Sequence, residues 1–598
     1  FLGRCQNFPP ETLLMVFLAV LWHHRDLDQP EKYLMAPCDL EEGLDSLPPD
    51  VARRLKVANR QVEDVAQNIG AVARSLESAA RWLGIFLVRQ GLPVPSFVNW
   101  RFKEKLAEFC ATWREVYGSL HRHWRRYERS SPSLSNYFAA VSVFSALIDA
   151  DKFHSARVRE VARPDFPSDL VLAYKRRQFA NTASSPLGAL REEIFNNAAK
   201  RISAAPVEQR FFTLTAPTGS GKTLAVLNAA LILRERLREK RKVAPRIIYA
   251  LPFTSIIDQT HQVIADVFSQ TLPSFSLSPS PYLLKHHHLA EISYQAEEED
   301  PRSFDEAMLL IESWQSEIVV TTFVQLLHTL IGYRNRMLKK FCHLAGAIVI
   351  MDEVQNIPVE YWPLVTETLK TAAEELDLRL VLMTATRPEW FAPGEAWELV
   401  GTFGELAQFF GQLNRVKLAA DTSPRTVTEA AAAFLERYDP ANSHLVVLNT
   451  IRSSITFYQC LKEALAAHRP LYYLSTNIVP AERERRLAEL KKFLNRGEKP
   501  VLVSTQVVEA GVDLDFDVAW RDIGPLDAVV QVAGRCNRNF RREYGDVFCL
   551  QLKDERDNLL ANRVYGHIHV NCARKFFADH PEIPETRFHE LVERFFAF

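Results

Sequence analysis

The sequence has no apolar run long enough to cross a bilayer. The longest, Leu13–Trp22, holds 10 residues, about half of the ~20 that a spanning helix needs. It has no Cys-x-x-Cys pair: the eight cysteines stand scattered at 5, 38, 110, 342, 460, 536, 549 and 572. That scatter excludes a zinc ribbon or a disulfide framework and points to a reducing compartment, the cytoplasm. There is almost no charge excess, since 72 Lys plus Arg against 73 Asp plus Glu leave a net charge of −1. A protein held on nucleic acid by bulk basicity is excluded; a local channel is not. The charge-dense stretches 121–129 and 234–242 read as solvated helix faces. No fixed-period repeat or low-complexity tract is visible, so a solenoid is excluded. Residue 1 is Phe rather than Met and no charged leader with a cleavage site follows it. The sequence is therefore expected to begin inside a longer gene product, with neither end taken as a terminus.

What is present is 598 residues, 47% of them apolar, enough for three or four domains. Residues 1 to about 160 carry helical periodicity, as in LLMVFLAVLWHH and ARSLESAARWLGIFLVRQGL, and predict an all-helical part. From about 205 the texture changes to short β-branched runs, each followed by a turn and a helical pattern: FFTLTAP, RIIYALP, EIVVTT, GAIVIMDE, LRLVLMTAT. A second series follows: HLVVLNT, LYYLST, PVLVST, DVAWRDI, GDVFCLQL. Such alternation predicts two consecutive domains, each a parallel sheet covered by helices. The expected divisions are 1–175, 176–410, 411–556 and a helical segment 557–598. In open parallel sheets ligands sit at the carboxyl ends of the strands, and nearly every polar motif falls there.

The strongest of these is Thr215-Ala-Pro-Thr-Gly-Ser-Gly-Lys-Thr223, between the strand FFTL and the helix LAVLNAALIL. Thr218, Gly219, Ser220 and Gly221 can wrap phosphate oxygens with backbone N–H groups at a helix N-terminus. Lys222 would reach the β and γ phosphates of a nucleoside triphosphate and the Thr223 hydroxyl would hold Mg²⁺. Ala216 replaces the first glycine of the strict pattern, a departure that fits the helicase version of the loop. The apolar strand Ala347–Met351 ends in Asp352 and Glu353. Asp352 would anchor Mg²⁺ through water and Glu353 would polarise the attacking water. Charge developing on the γ-phosphoryl oxygens calls for arginines from across a cleft, and Gln531-Val-Ala-Gly-Arg-Cys-Asn-Arg538 offers Arg535 and Arg538, three apart and on one face if helical.

The phosphate loop, Asp352-Glu353-Val-Gln355, Thr384-Ala-Thr386, Glu509-Ala-Gly-Val-Asp513 and Gln531 to Arg538, in that order, together resemble a superfamily 2 nucleic-acid helicase with two RecA-like domains. The acidic box Asp-Glu-Val-Gln resembles that of the signature helicase-nuclease of type I CRISPR interference. The resemblance covers roughly 180 to 555. It implies that Thr384 and Thr386 couple hydrolysis to domain movement, that Gly511 and Asp513 sense nucleotide, and that Gln531 faces the γ-phosphate. It also implies that strand ends meet the DNA backbone at Pro252, Thr254, Thr321, Thr322, Asn449, Thr450, Ser475, Thr476, Ser504 and Thr505. Hydroxyls and backbone N–H groups can make such contacts without a large positive charge. Translocation in the 3′ to 5′ sense is implied by likeness alone. Val532 departs from the family, which has a second polar or basic residue after Gln.

The same family implies a metal-dependent HD nuclease domain ahead of the helicase. His23 and His24, in LWHHRDL, look like its paired histidines, and Asp151, in SALIDADK, resembles its late aspartate, with Asp149 the competing choice. Imidazoles and carboxylates suit Mn, Fe, Ni or Co. The sequence contains no His-Asp dipeptide, so the family's earlier ligands are expected upstream of Phe1; a degenerate nuclease half is the alternative. The run His286-His287-His288 reads as loop.

The expectation is thus an ATP- and Mg²⁺-dependent translocase on single-stranded DNA, fused to an HD-type nuclease, monomeric and recruited by an RNA-guided CRISPR surveillance complex, with no membrane partner. Its rivals are a general superfamily 2 helicase and a nucleotide-gated clamp that holds DNA without turnover.

Overall fold

The computed structural model describes residues 10–596 apart from 24–25, 28–33, 35, 42–43, 90–100, 130–132, 159–160, 180–185, 289, 291–293, 295–302, 385–389, 393, 466–469, 510–511 and 513. Two compact units emerge: residues 1–159 with 328–343, and 160–327 with 344–598. The first break along the chain thus falls near 159, beside the point, about 160, where the helical periodicity ends.

The first unit is helical. The helices Pro10–Trp22, Pro49–Gln67, Ile69–Arg89, Phe102–Arg129 and Leu134–Ala156 form where apolar residues recur at three- and four-residue spacing. The first packs against the last and against Phe102–Arg129. Its buried residues fall into small groups, such as Leu14, Leu34 and Leu120, or Leu40, Leu47 and Leu55. Residues 328–343, far along the chain, join this unit: Phe341 stacks on Phe138 at 5.7 Å, and the Cys342 N–H donates to Ser145 Oγ at 2.9 Å. No helix among the described residues is long and apolar enough to cross a membrane.

The second unit carries two seven-stranded sheets. The first is built from β1 (Phe211–Thr215), β2 (Ile247–Leu251), β3 (Leu283–His286), β4 (Ile318–Thr322), β5 (Ile348–Asp352), β6 (Arg379–Thr384) and β7 (Trp397–Glu398), in the order β3-β4-β2-β5-β6-β1-β7. All of its pairings are parallel. The second comprises β8 (Val416–Arg425), β9 (His444–Val447), β10 (Leu471–Leu474), β11 (Val501–Ser504), β12 (Val518–Asp522), β13 (Gly545–Leu552) and β14 (Glu582–Pro584), in the order β10-β11-β9-β12-β13-β8-β14, with only β14 antiparallel. Strands β2, β4 and β5 are buried at every position, which is why they read as continuous apolar runs rather than alternating ones. These are the two RecA-like lobes, and their loop ends carry the motifs. The histidine run is a correction: His286 ends strand β3, and its buried ring accepts a hydrogen bond from the Trp314 indole at 2.8 Å.

Candidate nucleotide-binding site

Strand β1 leads straight into the phosphate loop. Gly219 and Gly221 adopt φ of +84° and +83°, a left-handed backbone that glycine enters without a Cβ penalty. Gly221 precedes the helix Lys222–Arg241, so its positive end faces the loop. The Lys222 side chain is 9% exposed, and its ammonium has no hydrogen-bond partner among the described residues; Ser220 Oγ is buried in the same condition. A buried ammonium without an acceptor costs free energy unless an anion fills the space.

At the end of β5, Asp352 is 7% exposed. The Tyr249 hydroxyl donates to its Oδ2 at 3.2 Å, while Oδ1 has no described partner. Burial, reinforced by the charge of Glu353, raises its carboxyl pKa well above the usual range, the condition a bound divalent cation would relieve. Asp352 Oδ1, the Thr223 hydroxyl position and the Lys222 ammonium, which donates no hydrogen bond among the described residues, together fit Mg²⁺ and a polyphosphate. Glu353 itself takes a left-handed backbone at φ 54°, and its Oε1 lies 3.6 Å from Lys222 Nζ. Gln355 Nε2 donates to Glu353 Oε2 at 2.5 Å, and Thr384 Oγ1 donates to Gln355 Oε1 at 2.9 Å. Thr384, on β6, is therefore wired to the acid that would orient water. Thr386 lies outside the described residues.

The second lobe closes the other side. The helix Leu526–Ala533 ends at Gly534, so Arg535 and Arg538 sit on the turn beyond it rather than on one helical face. Arg535 Nη2 donates to the Glu509 carbonyl at 2.8 Å, and the Arg538 N–H donates to Asp515 Oδ1 at 2.7 Å. A Cβ built on Gly219 would lie 3.9 Å from the Arg538 guanidinium carbon, and one built on Gly534 would lie 3.1 Å from Thr218 Cγ2. The lobes thus meet across the phosphate loop. A cavity of about 500 Å³ between them is lined by Thr218, Gly219, Lys222, Thr223, Asp352, Glu353, Gln531, Arg535 and Arg538. Gly511 and Asp513 lie outside the described residues.

Several residues that the motifs did not disclose also line this cavity. Phe179, Leu187, Phe195 and Phe540 form an apolar wall, with Lys175 Nζ 3.5 Å over the Phe195 ring; such a wall suits a base. Arg191 Nε donates to the Gly219 carbonyl at 3.0 Å. Arg415, buried against Glu585, donates from Nη1 to the Arg538 carbonyl at 3.4 Å and so braces the arginine turn. None of these carries a local sequence signal: Lys175 comes from the helix Leu170–Gln178, Leu187, Arg191 and Phe195 share the helix Pro186–Ala204, and Phe179, Arg415 and Phe540 lie outside helices.

The strand ends are mostly used internally. Thr321 Oγ1 donates to the His286 carbonyl at 2.8 Å, Thr322 Oγ1 accepts from the Gln325 N–H at 3.1 Å, and Ser475 Oγ accepts from the Asn477 N–H at 3.3 Å. Ser475 and Thr505 are buried, Thr476 is exposed, and Pro252 and Thr254 are half-buried. Backbone groups, rather than most of these hydroxyls, are what the edge offers.

In the helical unit the described residues do not gather the expected metal ligands. His23 Nδ1 faces the Val20 carbonyl at 2.6 Å, Asp151 stands beside Lys152 at 4.0 Å, and His24 lies outside the described residues. Of the two aspartates it is Asp149 that meets a histidine, His343 Nε2 at 3.1 Å, with Cys342 near both.

Burial pushes the Glu509 carboxyl up to about 7, against the opposing charge of Arg521. An acid raised in the folded state keeps its proton after the unfolded chain has lost it. The stability it contributes is therefore complete below about 4.5 and is lost as pH rises through about 7. The difference in melting temperature between Glu509→Gln and the parent should shift in the variant's favour across that window and level off above it. Calorimetry at stepped pH checks this; a difference constant with pH contradicts it.

Residues 192–392 match the DEAD/DEAH box helicase family, and 441–541 match the CRISPR-associated nuclease/helicase Cas3 C-terminal family. A CRISPR-associated nuclease/helicase Cas3 of Haloferax volcanii is 30% identical over 442 residues, covering 57% of this chain and 46% of that protein. Another, of Methanothermobacter thermautotrophicus, is 25% identical over 422 residues, covering 65% and 48%. The chain thus spans about half the length of these relatives. Its fold superposes on the crystal structure of T. fusca Cas3 with a TM-score of 0.59 at 17% identity, over 99% of this chain and 79% of that one. In its two lobes the chain is thus similar, in sequence and in fold, to the helicase part of CRISPR-associated Cas3 proteins.

Proposed function

We propose that the chain is an ATP-driven motor that moves along single-stranded DNA and serves CRISPR antiviral defence in the cytoplasm. The observation that carries this reading is the cleft: a buried lysine and carboxylate on one lobe, the ammonium and one carboxylate oxygen without a hydrogen bond among the described residues, face two arginines on the other across a cavity of about 500 Å³. Thr223 and Asp352 would hold Mg²⁺, whose chemistry is to neutralise β- and γ-phosphate oxygens. Lys222 and the loop N–H groups bind the phosphates, Gln531 faces the γ-phosphate, Glu353 takes the proton of the attacking water, and Arg535 and Arg538 stabilise the transferring phosphoryl group. Binding closes the lobes; hydrolysis and release open them, and the strand ends step along the phosphodiester backbone. Gly511 and Asp513 take the nucleotide-sensing role.

The motor would act as a monomer recruited by an RNA-guided surveillance complex at a displaced strand. It would feed single-stranded DNA to a metal-dependent nuclease in the helical unit, with His23, His24 and Asp151 among the ligands of Mn, Fe, Ni or Co. A second reading, a helicase without an active nuclease, is favoured by the separation of His23 and Asp151 from any three-ligand group among the described residues. The test uses the full-length gene product on single-stranded DNA, measuring strand translocation, cleavage and bound metal. Translocation with cleavage that is lost in His23→Ala and Asp151→Ala supports the first reading. Translocation without cleavage in the parent selects the second; no ATP-dependent movement removes both.

A further inference from the structure

The second lobe hides a charged network beneath its motifs. Arg521, on β12, is 0% exposed, an extreme position for a guanidinium, which is seldom buried without partners. Its Nη1 donates to Asn449 Oδ1 at 2.6 Å and its Nη2 donates to the Tyr565 hydroxyl at 2.8 Å. The same Nη2 lies 2.7 Å from Glu509 Oε1, an ion-pair distance without hydrogen-bond alignment.

From these partners the network runs two ways. Towards the strand end, Asn449 Nδ2 donates both to Asp522 Oδ2 and to the Ile523 carbonyl at 2.7 Å each, and the Asn449 carbonyl accepts from Gln506 Nε2 at 3.0 Å. Thr450 then caps the helix Ile451–Ala464 by accepting from the Ser453 N–H at 3.1 Å. Asn449 is 4% exposed, so its side chain is spent inside the lobe and cannot be what touches a strand of DNA. Towards the cleft, the Glu509 carbonyl accepts from Arg535, one of the two arginines facing the phosphate loop. One guanidinium therefore ties the backbone at 449–450 to the residue that seats Arg535.

We propose that Arg521 is the positioning residue through which nucleic acid at the 449–450 strand end sets Arg535 for phosphoryl transfer. This inference rests on the motor reading above. A displacement of the 449–450 backbone cannot be absorbed locally, because every polar atom of the Asn449 amide is bound to a buried partner. It must move Arg521 or break a buried pair, and Arg521 in turn bears on Glu509. The planar fork is essential: it spans Asn449 on one nitrogen and Tyr565 with Glu509 on the other. A lysine keeps the charge but offers one nitrogen on a flexible stem.

The test is steady-state ATP hydrolysis by the full chain against single-stranded DNA concentration, for the parent, Arg521→Lys and Tyr565→Phe. Arg521→Lys should keep DNA-free turnover and the KM for ATP within about twofold while losing about tenfold of the stimulation by DNA, a coupling of ordinary size. Tyr565→Phe, which removes one acceptor and leaves the packing, should lose a smaller part of the stimulation in the same pattern. It decides the matter if Arg521→Lys melts early. Stimulation intact in both variants overturns the inference, as does an equal fall of DNA-free and stimulated rates with a raised KM, which would make Arg521 a support of the nucleotide site alone. A parent that hydrolyses ATP with no response to DNA overturns the motor reading instead, and this inference with it.

Discussion

Glu353→Gln should reduce DNA-stimulated ATP hydrolysis by about 10²- to 10⁴-fold, the range typical of losing a positioned general base, with ATP binding retained. The substitution keeps the shape of the side chain and removes only its capacity to take a proton. The surroundings are arranged for that capacity: Glu353 is held in a left-handed backbone conformation, clasped by Gln355 and placed 3.6 Å from the Lys222 ammonium. Lys222→Ala should also stop turnover, but through weakened triphosphate binding, since it deletes a buried cation that donates no hydrogen bond among the described residues. Fluorescent-nucleotide titration separates the two losses. Parent-like hydrolysis in either variant removes this cleft as the catalytic site.

Arg538→Ala should lower hydrolysis by about 10³- to 10⁵-fold, as arginine fingers do, while nucleotide still binds the first lobe. Arg538 approaches Gly219 from the opposite lobe, so its contribution exists only when the cleft is shut, when the transferring group carries most charge. Arg538→Lys should restore little, because an ammonium does not reproduce the forked donor geometry. Single-turnover kinetics at saturating ATP isolate this step from binding. A change under about threefold would show that the Arg538 side chain takes no part in the transfer, its backbone N–H bond to Asp515 being kept in the variant.

The ten β-branched runs read from the sequence all became strands, and the phosphate loop and the acidic pair stand directly at the ends of two of them. This is because strands buried on both faces leave an unmistakable apolar run and the phosphate loop requires glycines at fixed spacing. Other strands were not legible. β3 ends in a histidine run, and β8, in VKLAADTSPR, is exposed or half-buried over most of its length, so neither carries a buried-strand signature. The site's outer shell was invisible for a different reason. Lys175, Arg191, Phe195 and Arg415 lie in helices and a linker with ordinary amphipathic composition, and only the fold carries them to the cleft. Periodicity also could not reveal that 328–343 pack with the N-terminal helices, since a returning segment looks like its neighbours in sequence. Asn449 shows the limit of motif transfer: its side chain is bonded inside the lobe, to Arg521, Asp522 and Ile523.

The most direct measurement is the structure of the full chain with a non-hydrolysable ATP analogue and Mn²⁺ in place of Mg²⁺, the cation being located by its anomalous scattering. The account predicts one triphosphate with its β and γ groups on Gly219 to Thr223, the cation beside Thr223 and Asp352, and the guanidinium groups of Arg535 and Arg538 at the γ-phosphate. A nucleotide bound elsewhere, or bound at the loop with both arginines turned away from it in the closed lobes, would contradict it.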